Sequence, residues 1–152
     1  MAWILIVLLI IADQLTKYLT KIYISKTRPI VVIDKFFYLS HRVNKGAAWS
    51  FLAEKSWGIY VLSSISAIVS LILLYIIYKT NIKSLKIILS IIAAGSIGNL
   101  IDRVFFGGVI DFLEFHFGSY IFPTFNVADS LIVCGTIALV ILLAIDKRIL
   151  GE

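Results

Sequence analysis

Residues 58–78, GIYVLSSISAIVSLILLYIIY, contain no charged side chain. Coiled as a helix, the run is about 30 Å long, the thickness of a bilayer's hydrocarbon core. Composition agrees with that setting. Of the 152 residues, 61% are apolar and 15% are charged, with a mean hydropathy of +1.02. A soluble domain has about 45–50% apolar and about 25% charged residues, so a water-soluble fold is excluded. Three more segments read as spans. Residues 126–145 hold one charge, Asp129, in their first turn, and Lys147 and Arg148 follow. Residues 85–104 become polar at their far end, with Asn99, Asp102 and Arg103. Residues 3–24 stay apolar through Ala12 and then admit Asp13, Gln14, Thr16 and Lys17. No Lys or Arg precedes that segment, and Asp13 and Gln14 stand where a leader would carry small cleavage-site residues. We therefore expect a retained helix there, and a single domain over 1–152: an all-α integral membrane protein with four transmembrane helices.

Four spans put both termini on one side with the short loop 79–84. The longer connections, 25–57 and 105–125, lie on the other. Lys79, Lys83 and Lys86 crowd against helix ends, which favours a cytoplasmic location for that loop, although raw counting of basic residues does not separate the two sides. The net charge of +5 then reflects lysines flanking helices and not a nucleic-acid surface. In the first connection, PIVVI (29–33) and FFYL (36–39) are β-prone and are split by Asp34 and Lys35, so a small sheet is expected. Eight of the twenty aromatics fall between 104 and 125, a density that fits a segment at the headgroup level. The one cysteine, Cys134, excludes an intrachain disulfide; its apolar helical setting predicts inert packing. Neither His41, expected on the surface, nor His116 has metal-ligand spacing around it. Gly95 and Gly98 with Ala93 and Ala94 form a small-residue face suited to close helix packing.

Charges at membrane depth cost several kcal/mol and need a reason. Asp13 and Lys17 are four apart on one helix face and can neutralise each other; Asn99 and Arg103 share the same spacing. Asp102 can brace either its neighbour Arg103 or another helix. Asp129 follows Asn126 by three residues, the place of an acid behind an Asn N-cap, where it would serve the helix alone. Topology adds a second possibility. The third span exits and the fourth enters at one face, which sets Asp111 and Asp129 at similar depth. Two close carboxylates share one proton because both cannot ionise, and such a dyad is what aspartyl proteolysis requires. A proton-coupled transporter using Asp13 is the competing reading; it needs a polar path from both sides, whereas the polar residues cluster toward one.

Five blocks, DQLTK (13–17), NKGAA (44–48), GNLIDR (98–103), GVIDF (108–112) and FNVAD (125–129), occur in this order from the first span to the last. Together they make the chain resemble the lipoprotein signal peptidases, the type II signal peptidases of bacterial membranes. Trp49 departs slightly, since the family usually has Phe after GAA. The resemblance implies an aspartyl endopeptidase that removes the signal peptide of prolipoproteins, cutting before a diacylglyceryl-modified cysteine, with no metal or cofactor. Asp111 and Asp129 match the catalytic pair. Asp13, Lys17, Asn44, Gly46, Asn99, Arg103, Asn126 and Ala128 match other retained positions, several of which line the pocket for substrate or for the cyclic peptide globomycin. It further implies contact with membrane lipids, both termini in the cytoplasm, and a small extracytoplasmic sheet beside an active site near the outer surface.

Overall fold

The computed structural model describes residues 1–46, 55 and 57–146; Trp49, Lys147 and Arg148 lie outside them. In chain order the elements are α1 (Ala2–Tyr23), β1 (Ile30–Ile33), β2 (Phe37–Asn44), α2 (Gly58–Lys79), α3 (Lys83–Phe106), β3 (Val109–Phe117), β4 (Tyr120–Ile121) and α4 (Val127–Ile145). All four helices are long and apolar enough to cross a membrane. α1 and α2 stop where the backbone turns extended at Ile24 and Thr80, and α3 stops at Gly107, whose φ of 69° is the left-handed conformation that glycine accepts without strain.

α3 is the hub. Of its apolar stretch 56% is buried, against 22%, 6% and 11% for α1, α2 and α4. The others pack on it and α2 scarcely meets α4, which leaves a cleft floored by α3. The small-residue face explains the closeness. Ala93 and Ala94 are fully buried, a Cβ on Gly95 would collide with the Ala128 carbonyl, and one on Gly98 would stand 2.6 Å from an Asp13 carboxylate oxygen. The outer faces stay apolar: Leu71 on α2 and Val140 on α4 are more than half exposed, a surface suited to lipid.

The bundle has an apolar end and a polar end. Ile6, Ile77, Leu89 and Ile92 form the core toward the termini, whereas Asp13, Lys17, Asn99 and Asp102 are buried toward the sheet. The sheet is antiparallel, in the order β1-β2-β3-β4. The expected hairpin forms, with Lys35 at its turn (φ 59°). The aromatic 105–125 connection is not a separate layer: its centre is β3, which pairs along β2, so both long connections build one sheet. A register shift between Leu39 and Arg42 bulges β2. That bulge turns His41 inward, contrary to the surface position expected for it; the ring is buried with Nδ1 3.1 Å from the Ile24 carbonyl oxygen.

Candidate active site

One backbone carbonyl sets the geometry. Phe125 O accepts from both Phe112 N (3.0 Å) and Leu113 N (2.8 Å), and Phe125 N donates to Leu113 O (3.1 Å). The start of α4 is thereby laid against the start of β3. Asn126 caps α4, its Oδ1 accepting from Asp129 N at 2.9 Å, while its Nδ2 donates to Asp111 Oδ1 at 2.7 Å. Asp129 returns the cap, Oδ2 accepting from Asn126 N at 3.2 Å, and its other oxygen accepts from Asn99 Nδ2 at 2.7 Å. The capping role expected for Asp129 is therefore met with one oxygen, and the other is left to face Asn99. Asp111 Oδ2 accepts from Asn44 Nδ2 at 3.1 Å, and Asn44 Oδ1 accepts from Gly46 N at 2.8 Å. Each carboxylate is fixed from two directions before any ligand arrives.

Behind this layer lies a buried ionic one. Lys17 Nζ sits 2.8 Å from Asp13 and 3.1 Å from Asp102, and donates to Asn99 Oδ1 at 3.0 Å. Asp13 also accepts from Ala128 N at 2.9 Å, tying α1 to the first turn of α4. Asp102 accepts from Ile110 N at 3.1 Å and from Gln14 Nε2 at 3.0 Å. The brace thus runs to another helix, Asp102 pairing with Lys17 and not with the adjacent Arg103. Consecutive helix residues diverge by about 100°, so neighbours do not face each other. Arg103 turns to Asp129 and Asp111, its charge acting on both, and its guanidinium lies 3.5 Å from the carbonyls of Asn99 and Gly46. Its Nε is buried without a hydrogen-bond partner among the described residues. Gln14, one residue from an obvious ionic site, carried no signal of its own in the sequence. Its partner Asp102 is 88 positions away.

A groove of about 770 Å³ opens on these groups. Asn99, Arg103, Asp111 and Asp129 form its polar wall, with Phe122–Phe125 at the sheet and Ile132–Cys134 along α4. Cys134, expected as packing, is exposed on that wall. Four carboxylates (Asp13, Asp102, Asp111, Asp129) face two cations (Lys17, Arg103) here, so retaining a proton is favourable. Asp111 is where it shows: burial, then the charge of Asp129, push its pKa up to about 7, against the hydrogen bonds from Asn44 and Asn126.

Residues 5–145 match the protein family described as Signal peptidase (SPase) II. The chain belongs to that family. Among signal peptidase II relatives, a protein of Francisella tularensis subsp. novicida named lipoprotein signal peptidase is 44% identical over 143 residues, 91% of this chain and 88% of the relative. One of Clostridium tetani with the same name is 44% identical over 140 residues, again 91% and 88%. Two solved structures, each titled a bacterial membrane enzyme, superpose with TM-scores of 0.83 and 0.81 at 32% and 33% identity. They cover 96% and 95% of this chain, which is matched to 88% and 93% of theirs. This chain is accordingly a peptidase of a bacterial membrane family, with several membrane-crossing helices.

Proposed function

We propose that this chain is an intramembrane aspartyl endopeptidase that removes signal peptides from prolipoproteins, cutting immediately before a cysteine that carries diacylglycerol. The observation that carries the reading is the Asp111–Asn126–Asp129 bridge on the wall of the groove. Asp111, with its raised pKa, holds the shared proton, and Asp129 is the partner that receives the proton of the attacking water. Water between them attacks the scissile carbonyl carbon. Its proton passes to Asp129 while Asp111 gives its own to the carbonyl oxygen; on collapse Asp129 returns its proton to the departing amine and one hydroxyl of the tetrahedral intermediate returns a proton to Asp111. Arg103, with an unused buried Nε, and Asn99 orient the peptide, and the segment of Asn44 and Gly46 lies over it. The cleft between α2 and α4 lets the signal helix enter sideways while its acyl chains stay in the bilayer, which gives a reason for placing this chemistry in a membrane.

Purified protein should cleave a diacylglyceryl-modified prolipoprotein in detergent without a gradient or added metal, and globomycin should stop it. Folded protein that leaves that substrate intact, or that cuts the unlipidated form equally well, overturns the proposal.

A further inference from the structure

Glu114 on β3 is buried, yet it serves neither the dyad nor the ionic layer. One of its oxygens accepts from both Nε and Nη2 of Arg42, each at 3.1 Å, and the other lies 2.8 Å from His116 Nε2. Burial pushes Glu114 up, but the hydrogen bonds from His116 and Arg42 outweigh it and hold the carboxyl below its usual range, so it is a charged anchor. The anchored Arg42 side chain remains 62% exposed. Two of its five N–H donors are taken among the described residues, which leaves three.

Its place makes those donors useful. Arg42 is the residue opposite Asp111 across β2 and β3, and it lines the same groove. Asn44, two residues on, holds the Asp111 carboxylate. At the other end of the groove Ile132–Cys134 lie at least one turn inside α4. A substrate whose apolar helix comes from the bilayer side therefore leaves the dyad past Arg42, on the side of the scissile bond that becomes the mature protein.

We propose that Arg42, clamped by Glu114 and His116, is a specificity-determining residue that selects an acidic side chain in the first few positions after the cut. The inference rests on the endopeptidase reading above. A guanidinium held in place by a buried carboxylate loses little freedom on gripping a second one, and planar bidentate pairing favours carboxylate over neutral groups. A basic residue at the same place meets a fixed positive charge.

The test is a series of lipidated prolipoprotein substrates with Asp, Ala or Lys in the positions following the lipidated cysteine, compared by kcat/KM. Wild type should prefer Asp over Lys by about tenfold, roughly 1.4 kcal/mol, and the preference should shrink as salt rises. Arg42→Gln should bring Asp and Lys within about twofold of each other. Arg42→Glu should reverse the order, a result that partial misfolding cannot produce. Equal cleavage of all three by wild type, or an Asp preference that survives in Arg42→Gln, overturns the inference and leaves the endopeptidase reading intact. A rate set by added anionic phospholipid and indifferent to the substrate residue would assign Arg42 to lipid phosphate and overturn it equally. Failure of folded wild type to cut any of the three removes the underlying reading and this one with it.

Discussion

At the residue scale, Asn126 joins Asp111 and Asp129 into one unit, so their losses should not add. Asp111→Asn and Asp129→Asn are each expected to abolish turnover, since Asn neither gives nor takes the proton, and the double variant should be hardly worse than either single. Asp102→Asn belongs to a different class. It weakens the buried pair with Lys17, so melting temperature and accumulation should fall by more than turnover per folded molecule, by an amount on the order of a few kcal/mol. A well-folded but dead Asp102→Asn beside an active Asp129→Asn would reverse the assignment. The Asp111 carboxyl also sets a pH dependence. Its pKa is raised from 3.8 to about 7, so the folded state binds the proton more tightly than the unfolded chain. Its contribution to stability is complete below about pH 4 and is lost as pH climbs through 7. Cleavage should therefore decline above about pH 7. Asp111→Asn, neutral throughout, should gain stability relative to wild type between pH 4 and pH 8, by a few kcal/mol at most, read from unfolding curves at the two pH values. Cys134 gives a third prediction. Cys134→Ala should stay within about threefold of wild type, a difference below 1 kcal/mol. A bulky maleimide should block wild type and spare Cys134→Ala, because the thiol lies on the groove wall. Wild type that is fully labelled yet fully active would remove Cys134 from the substrate's path. That exposure was not legible beforehand: an apolar neighbourhood in sequence does not say whether a helix face meets a helix, lipid or a cleft.

At the scale of elements, what the sequence discloses depends on how local the cause is. Spans declare themselves through charge-free runs, and the hairpin through β-prone residues flanking Asp34 and Lys35. The cap formed by Asn126 and Asp129 is also legible, since both partners lie in one turn. The pairing of β2 with β3 is not, because it joins residues about 70 positions apart and the aromatic richness of β3 suits a sheet and an interface equally well. The same holds for Asp102, whose partner Lys17 lies on another helix. Close packing of α3 on α4 is the element-level feature that most directly positions the site, and it can be tested. Gly95→Leu puts a side chain against the Ala128 carbonyl, one residue before Asp129. Overpacking of this kind costs about 1–3 kcal/mol. We expect a lower melting temperature in detergent together with a loss of turnover larger than that of Gly107→Asn, which lies at a helix end with open space around it. Equal effects from the two would mean that the α3–α4 contact does not hold the dyad.

At the scale of the whole molecule, pairing of β2 with β3 requires that both long connections lie at one end of the bundle, the end that holds Asp111, Asp129 and the buried ionic layer. The loop between α2 and α3 then lies at the opposite end with the start of α1 and the end of α4, as an antiparallel set of four spans requires. Which end faces the cytoplasm is a matter of charge. Lys79, Lys83 and Lys86 lie within or beside the helix ends of one short loop, where basic residues weigh most in orientation. Lys26, Arg28, Lys35, Lys45 and Lys55 are spread along the 25–57 connection, and Arg42 is already paired with Glu114. On that weighting we expect the short loop and both termini inside and the sheet outside, the arrangement that suits a substrate whose mature portion leaves the membrane on the sheet side. Reporter tags at either terminus or within 79–84 should therefore be cytoplasmic, and tags within 25–57 should be reached by reagents added to intact cells. Cleavage of a C-terminal tag by protease added outside intact cells would invert the arrangement, and would place the dyad on the wrong side for a protein being exported.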